Sequence, residues 1–346
     1  MVKLLFPGPD FIFETQTAIQ REYIRRIREQ GIDAAIEWLL PVKGSEERSY
    51  PETLTLRWES DGSAEYTVTL AEGINGPGTT YRTDKTELAV TNLKVGQDYT
   101  VWINGSAAGR FTTADSRYRF IRIDGVLNVR DIGGIAIRQG LVYRGTDIRI
   151  QLFDKWVEIT EQGKRTFAEE LGIRSELNLR RCIGEVRVNP FTDGSVTEYH
   201  IPYRPYLETF EEPNRKALCE IFELLSHEEV YPVFVHCAGG ADRTAMIALF
   251  LRAICGEDDE DILIDYELTS LSTYAGGAPE GVHEDGIRRR TTPAMAKFLA
   301  RITSYGETGE WKSGVRGYLL SCGIPEETID RVRGILTGNT AAPAAL

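Results

Sequence analysis

The chain has few of the residues that metal and disulfide chemistry require. Its 346 residues include four histidines and five cysteines, and no two cysteines form the CxxC pair typical of zinc or dithiol sites. We therefore expect no metal and no other cofactor. An odd number of scattered cysteines also favours free thiols in a reducing compartment. Three cysteines in apolar or helical stretches are expected to be small buried hydrophobes: Cys182, Cys219 and Cys255.

The sequence also lacks a long apolar run and an excess of basic residues. No stretch approaches the roughly 20 apolar residues of a membrane-spanning helix, and residues 1–9 show no signal peptide. We therefore expect a cytoplasmic protein, or a secreted or periplasmic one if the chain has been trimmed. The net charge of −12 argues against nucleic acid and anionic membranes as partners. It is compatible with a phosphorylated protein or a small phosphorylated substrate, because local amides and one or two cations recognise phosphate. The oligomeric state stays open.

The length exceeds the usual range of a single domain, and the texture of the sequence changes along the chain. We expect an N-terminal helical segment over 1–44, a β-sandwich over 45–116, an α/β domain over 117–338 and a frayed tail over 339–346. In the helical segment, apolar residues recur at helical spacing between residues 14 and 40, with Gly31 as a helix end and Pro41 as a second one.

The second segment alternates apolar and polar residues. Strands are predicted at 54–58, 66–70 and 99–103, separated by turns rich in Gly and Asp. Short strands at this spacing indicate a small β-sandwich. Trp58 and Tyr99 make the segment similar to a fibronectin type III module, in which the hydroxyl at the Tyr99 position ties a crossover loop to the sheet. A spacer or packing role is favoured over ligand binding.

Strands and helices alternate in the third segment. We predict a strand at 173–179, a helix around 217–225, a strand at 233–235 and a helix at 244–254. This order is typical of a central, mostly parallel sheet flanked by helices.

The sequence HCAGGADRT at residues 236–244 joins the last predicted strand to the last of these helices. The helix N-terminus offers unpaired amides to an anion, and Gly239 and Gly240 allow the backbone to curl around it. Arg243 follows Cys237 by six residues and can give two parallel donors to phosphate oxygens. These groups together favour the thiolate of Cys237, which makes it a nucleophile.

Each residue of this loop also has a structural interpretation when it is taken alone. Cys237 could be a core thiol, Arg243 a surface ion pair, Asp242 a helix cap and His236 a buried core histidine. The joint pattern favours catalysis. We assign Cys237, Arg243 and Asp242 as catalytic residues. Substrate contacts are assigned to Ala238, Gly239, Gly240, Ala241 and Thr244, and supporting roles to His236 and Asp131.

The loop HCxxGxDRT resembles the signature of the Cys-x5-Arg protein tyrosine phosphatases, in particular the atypical bacterial tyrosine/serine, lipid-phosphatase-like branch. Segments 128–134, 143–147, 171–185 and 317–329 carry further motifs of this branch, so the resemblance covers about residues 118–338. It implies a protein-tyrosine-phosphatase-like fold. It also implies hydrolysis of phosphomonoesters through a phosphocysteine, on phosphotyrosine or, with dual specificity, other phosphoproteins.

Two departures from this family pattern bear on substrate and mechanism. Ala241 replaces a basic residue that is associated with multiply phosphorylated or lipid substrates, which weakens a phosphoinositide assignment. Residues 201–204 lack the Asp that relatives often carry, so a general acid on a mobile loop is in doubt. The family resemblance makes Asp242 the first candidate for the acid. Second candidates are Glu208, Glu211 and Glu212, and the third is Asp131.

Other interpretations stay open at the level of sequence. The chain could be a phosphoinositide or inositol-phosphate phosphatase, a phosphate-binding pseudophosphatase, or, with less support, a sulfur-transfer enzyme. Arg180 and Glu185 are expected to form a structural ion pair. Residues 256–292, with Tyr274, His283 and 288–290 (three arginines), are either a cationic lid over the site or a solvated loop.

Overall fold

The computed structural model describes residues 2–152, 155–181, 189–273 and 293–339. The chain divides into two compact units. One unit comprises Met1–Ala18 and Tyr50–Arg122, and the other comprises Ile19–Ser49 and Ile123–Leu346. This division differs from the ranges expected from sequence, because the first residues join the β-rich unit and the N-terminal helices join the α/β unit.

The β-rich unit contains two sheets in its described residues, with strand orders β1-β3-β6 and β2-β8-β7-β4-β5. Alternate side chains of both sheets, among them Trp58, Tyr66 and Val101, share one apolar core. The three strands predicted from alternation are confirmed. The strands of this unit are β1 (Leu4–Phe6), β2 (Ile12–Phe13), β3 (Leu54–Trp58), β4 (Tyr66–Glu72), β5 (Gly78–Thr83), β6 (Glu87–Val90), β7 (Asp98–Ile103), β8 (Ser106–Thr113) and β9 (Arg119–Phe120).

Tyr99 makes the backbone contact that the sequence predicts for it. The Lys94 backbone N–H donates to the Tyr99 hydroxyl oxygen, with an N···O distance of 2.9 Å. Tyr99 is also stacked on Phe111, with ring centroids 5.3 Å apart. The hydroxyl therefore fixes the chain that leads into β7. The assignment to the fibronectin type III group itself stays a prediction.

Two helices follow the first strands, α1 (Ala18–Gln30) and α2 (Ile32–Lys43). Gly31 separates them with a φ of +84°, a conformation that glycine adopts without strain. The prediction that the second helix ends at Pro41 was wrong, because Pro41 lies inside the last turn of α2. Pro41 has no backbone N–H to donate in this turn. The side chain of Lys43, the last residue of α2, holds the turn in place.

The α1–α2 pair is anchored within the α/β unit. Arg28 pairs with the buried carboxylate of Asp261. The buried Lys43 ammonium donates to the carbonyls of Ser270 and Ser272 at 2.6 and 2.7 Å. These contacts explain why residues 19–49 belong to this unit.

The sheet of the α/β unit runs in the order β15-β14-β16-β11-β10. The pairings of β14 with β15, of β14 with β16 and of β11 with β16 are parallel, whereas β10 and β11 are antiparallel. The sheet is therefore mixed: it has these three parallel pairings, and the short chain between β10 and β11 permits only an antiparallel return. β12 and β13 form a separate antiparallel pair. The strands of this unit are β10 (Arg130–Asp131), β11 (Val142–Gly145), β12 (Arg149–Leu152), β13 (Lys155–Glu158), β14 (Ser175–Asn178), β15 (Thr197–His200) and β16 (Val233–His236).

The core of this unit lies around α5, in which every residue from Thr244 to Ile254 is buried. Residues of α4, α7, α8 and α9 pack in the same apolar cluster. A helix buried on all sides is apolar around its whole circumference, as the sequence of α5 is. The helices are α3 (Glu161–Arg165), α4 (Glu212–Leu225), α5 (Arg243–Ile254), α6 (Asp259–Glu267), α7 (Pro293–Thr303), α8 (Trp311–Ser321) and α9 (Glu326–Thr337).

Several sequence predictions fall outside the described residues. These are Cys182, Glu185, most of the frayed tail and the segment with Tyr274, His283 and residues 288–290.

Candidate active site

The candidate nucleophile loop, residues 237–242, connects β16 to α5. Because β11, β14, β15 and β16 are mutually parallel, their carboxyl ends meet at one edge of the sheet, where ligands bind in open α/β folds. Leu179, directly after β14, donates its N–H to the His236 carbonyl at 2.9 Å. The loop is thus surrounded by the residues that follow the neighbouring strands.

The carbonyl groups of the loop are held from outside. The Asp147 backbone N–H donates to the Ala238 carbonyl at 3.1 Å. The Asn128 amide donates to the Gly239 carbonyl at 3.1 Å, and the Arg144 guanidinium donates to the Gly240 carbonyl at 2.8 Å. Since C=O and N–H point to opposite sides of a planar peptide, three outward carbonyls direct the following N–H groups to the inside. The result is a ring of donors suited to a phosphate.

Gly240 is the position where this curl requires glycine. Its φ is +64°, and a Cβ placed there would lie 2.3 Å from the Gly145 carbonyl oxygen. Real Cβ atoms do not approach a backbone oxygen so closely. The loop can therefore pack against the end of β11 only without a side chain at residue 240.

Two buried arginines hold these outer donors in place. Arg144 and Arg130 both pair with Asp265 of α6, and Arg130 donates to the Asn128 side-chain oxygen at 2.5 Å. This bond leaves the Asn128 NH₂ group directed at the loop. Burial raises the pKa of Asp265, but the charges of Arg144 and Arg130 outweigh it and hold the pKa far below its usual range.

Cys237 is only 3% exposed and lies at the start of the loop. Burial raises the pKa of its thiol, but the charge of Arg243 and the hydroxyl and N–H of Thr244 together lower the pKa below its ordinary value. The surroundings therefore favour a thiolate.

His236, the residue before Cys237, is held by a buried carboxylate. Its Nε2 lies 2.7 Å from Glu176 Oε1, and the same carboxylate accepts from Arg149 at 2.6 Å. A carboxylate accepts hydrogen bonds, so Nε2 carries the proton and donates. Both His236 and Glu176 are fully buried, and the pair fixes the end of β16.

Arg243 begins α5 and is half-buried. Within residues 2–152, 155–181, 189–273 and 293–339, its guanidinium has no carboxylate or hydrogen-bond partner, and Cys237 is the group whose charge it influences. Its donors are therefore available for phosphate oxygens.

Asp242 does not cap α5, because its side chain makes no cap hydrogen bond. Instead, the Tyr206 hydroxyl donates to Asp242 Oδ1 at 2.5 Å. The carboxylate is near enough to Cys237 to raise the pKa of the thiol, against the effect of Arg243 and Thr244. The structure thus brings Asp242 together with Cys237.

The other candidates for a general acid are placed differently. Asp131 is buried, and its two oxygens accept from the backbone N–H groups of Gly133 and Gly140 at 2.8 and 2.6 Å. It therefore braces the turn between β10 and β11. Glu208 pairs with Arg204 at 2.5 Å, and the remaining two candidates are exposed at the start of α4: Glu211 and Glu212.

Arg180 has a described partner that sequence reasoning did not identify. It pairs with the buried Asp147, whereas the expected partner, Glu185, lies outside the described residues. Because the backbone N–H of Asp147 holds the Ala238 carbonyl, this ion pair supports the loop. Ala241 is buried within the loop.

Sequence reasoning missed Tyr206, Tyr266, Asp265 and Glu176 as parts of this site. Only carboxylates were considered as acids, so Tyr206, which lies between residue 204 and Glu208, was passed over. The other three are polar residues on a strand and a helix far from the loop in sequence, and no local pattern marks them.

Neither a metal site nor a membrane-spanning helix is found in the part of the chain that the structure describes. No group of three or more His, Cys, Asp or Glu side chains there could hold a metal ion. None of the helices there has both the length and the apolar character to cross a bilayer.

Comparison with protein families gives a match. A model described as the tyrosine phosphatase family matches residues 121–338, more than half of the chain. No curated protein matches.

Solved structures similar to this chain include two of the Siw14 protein. One is the core catalytic domain of the PP-IP phosphatase Siw14 from S. cerevisiae in complex with citrate, with 15% identity and a TM-score of 0.29, covering 44% of this chain and 79% of that one. The other is the Siw14 catalytic core, with 15% identity and a TM-score of 0.28, covering 42% and 80%.

Gly240→Ala is expected to abolish activity, because the new Cβ would force the loop away from β11. Gly256→Ala is the matched control. Gly256 also has a positive φ, +83°, but nothing lies within 4 Å of the position that a Cβ would take there, so this variant should lose about 1 kcal/mol of stability and keep its turnover. Initial rates and thermal unfolding of both variants are the measurement. Equal activity of the two would contradict the packing argument.

The lowered pKa of Cys237 predicts thiol labelling at unusually low pH. Iodoacetamide should alkylate Cys237 at lower pH than it alkylates an ordinary thiol, whose pKa is about 8.5. Burial raises the pKa of Cys255 to about 12, so Cys255 should stay unlabelled. Peptide mass spectrometry across a pH series gives both profiles. Labelling of Cys237 that begins only near the ordinary thiol pKa would contradict the electrostatic argument.

Proposed function

Because the chain belongs to the tyrosine phosphatase family, we propose that it hydrolyses phosphate monoesters through a phosphocysteine at Cys237, on phosphotyrosine or other phosphoprotein substrates. The observation that carries this proposal is the loop at residues 237–242. The loop begins with a thiol of lowered pKa, its carbonyls are held outward, and the guanidinium that follows it has no carboxylate partner among the described residues.

In the first step the Cys237 thiolate attacks phosphorus and forms the S–P bond. The P–O bond to the leaving group breaks, and its electron pair departs with the oxygen. Asp242 gives this oxygen a proton, so an alcohol or phenol leaves. Arg243 and the loop amides hold the three phosphoryl oxygens as their charge changes.

In the second step water attacks the phosphorus of the phosphocysteine. The S–P bond breaks and its electron pair returns to Cys237 as a thiolate. Asp242, now a carboxylate, takes a proton from the water. One ester and one water give one alcohol and one phosphate, and the enzyme returns to its initial state without a redox partner.

The charge pattern around the loop supports a substrate with one phosphate group. Three of the arginines that follow the neighbouring strands are matched by carboxylates, whereas Arg243 has no carboxylate partner among the described residues. Ala241 adds no charge of its own. The ion pairs are Arg149–Glu176, Arg180–Asp147 and Arg204–Glu208.

One observation favours an inositol-phosphate or phosphoinositide substrate instead. A pocket of about 280 Å³ is lined by Arg181 and Arg204 together with Glu211 and Asn214. Its wall residue Tyr203 donates its N–H to Leu179, which is itself bonded to the residue before Cys237. A second phosphate could be bound in this pocket, which is linked to the loop at residues 237–242 through the hydrogen bonds of Tyr203 and Leu179.

Replacement of the nucleophile tests the proposal. Cys237→Ser should abolish turnover while the fold survives, because a serine hydroxyl is not ionised at this site. The assay compares wild type and variant on phosphotyrosine peptides, phosphoserine peptides and phosphoinositides, with thermal unfolding as the control for folding. A variant that keeps more than about a tenth of the rate would remove Cys237 as the nucleophile, since loss of that role costs several kcal/mol in barrier. An inactive wild type would favour the pseudophosphatase, and a preference for phosphoinositides would favour the alternative substrate.

Asp242→Asn tests the assignment of the acid. Hydrolysis of phosphotyrosine should slow by about 10²–10⁴-fold, whereas an activated aryl phosphate should be affected much less, because its leaving group needs little protonation. Glu208→Gln is the control and should behave as wild type. Equal losses on both substrates in Asp242→Asn would transfer the role to Glu208, Glu211 or Glu212.

A further inference from the structure

Tyr206 lies at the centre of a short chain of hydrogen bonds. Its hydroxyl donates to Asp242 Oδ1 and is 2.5 Å from the hydroxyl of Tyr266. The Tyr206 proton is committed to Asp242, so Tyr266 is the donor between the two hydroxyls. The order is therefore Tyr266 to Tyr206 to Asp242.

The backbone of Tyr206 is held in a conformation that tyrosine rarely adopts. Its φ is +59°, in the left-handed region, which costs a non-glycine residue roughly 1 kcal/mol or more. Such strain persists only where the surroundings enforce it. This backbone conformation directs the Tyr206 side chain toward the loop at residues 237–242.

The contacts that enforce this conformation lie on both sides of Tyr206. The Arg204 N–H donates to the Asn214 side-chain oxygen at 2.9 Å, and the Asn214 amide donates to the Glu208 carbonyl. On the other side the Tyr318 hydroxyl donates to the Thr209 carbonyl at 2.6 Å. The segment that carries Tyr206 is thus fixed to α4 and α8.

Tyr266 is buried and belongs to α6. Its neighbour in sequence, Asp265, pairs with the two arginines that support the loop. The position of Tyr266 is therefore set by the same buried network. Burial and the adjacent Asp242 carboxylate both raise the pKa of Tyr206, so its hydroxyl keeps its proton at neutral pH.

We propose that Tyr206 is a positioning residue for the general acid, and that Tyr266 fixes the Tyr206 hydroxyl in turn. This inference rests on the proposed function, in which Asp242 protonates the leaving group and later deprotonates water. A hydroxyl suits both states of Asp242, because it donates to the carboxylate and accepts from the carboxylic acid. Tyr206 therefore keeps Asp242 in one place through the whole cycle, although Asp242 sits on the loop and not on a closing segment.

Tyr206→Phe removes the hydroxyl and keeps the ring. We expect kcat on phosphotyrosine peptides to fall by about tenfold, as for loss of one hydrogen bond to a charged group, with KM nearly unchanged. The rate on an activated aryl phosphate should change little. Loss of a donor to the carboxylate favours its protonated form, so the basic limb of the pH profile should move to higher pH. Tyr266→Phe should give a smaller change in the same direction.

The double variant Tyr206→Phe with Asp242→Asn identifies the route of the effect. If Tyr206 acts through Asp242, the double variant should be no slower than Asp242→Asn alone. Tyr231→Phe is the matched control. The Tyr231 hydroxyl is also buried and donates to the Leu225 carbonyl, far from the acid in the hydrogen-bond network, and its loss should leave the leaving-group dependence and the pH profile unchanged.

Wild-type rates and an unshifted pH profile in Tyr206→Phe would overturn the proposal. So would equal losses on both substrates, or losses that add to those of Asp242→Asn. Thermal unfolding identifies a variant that fails to fold, and in that case Tyr266→Phe decides by the same pH profile. Failure of the proposed function is distinct, because Cys237→Ser or Asp242→Asn would then themselves keep their activity.

Discussion

The candidate site depends on one backbone constraint: if the loop is to bind a phosphate, the carbonyls of residues 238–240 must point away from that phosphate. A carbonyl turned outward into protein needs a donor, and each of the three has one. The Gly240 carbonyl takes a guanidinium donor from Arg144, which is paired in turn with Asp265. Buried ion pairs contribute little net stability because desolvation offsets their attraction. What this one provides is the position of a peptide group.

α6 links the two halves of the proposed chemistry. Asp265 positions the two buried arginines that support the loop at residues 237–242. The next residue, Tyr266, contacts the Tyr206 hydroxyl, which is bonded to Asp242. Adjacent residues on a helix point about 100° apart, so one helix reaches the back of the loop and its acid at the same time. The α1–α2 pair in turn contacts α6 through Arg28 and Asp261.

Local sequence patterns predicted the helices, the strands and the loop at residues 237–242. They could not identify contact partners that lie far apart in the sequence. The alternation at residues 54–58 and the apolar run of α5 each carry a period that belongs to one type of structure. The glycines and the Cys–Arg spacing at residues 237–243 likewise predict an anion-binding loop without reference to any other part of the chain. The helix end at Pro41 failed because the last turn of α2 is fixed by carbonyls at residues 270 and 272. Tyr206 and Asp265 were missed for the same reason, since their roles exist only after the chain has folded.

In the proposed mechanism, an acid carried on the nucleophile loop couples the two titrating groups of the reaction. A charged Asp242 adds to the effect of burial in raising the pKa of Cys237, whereas with a protonated Asp242 burial alone opposes Arg243 and Thr244, which lower it. The thiolate is therefore favoured most when Asp242 holds its proton, and that is the state from which Asp242 can protonate a leaving group. After the proton has been given up, the sulfur is already bonded to phosphorus and no longer carries the opposing charge. The nearness of the two groups thus serves both steps, provided that the carboxyl stays in place, which is the requirement that the Tyr206 hydroxyl meets.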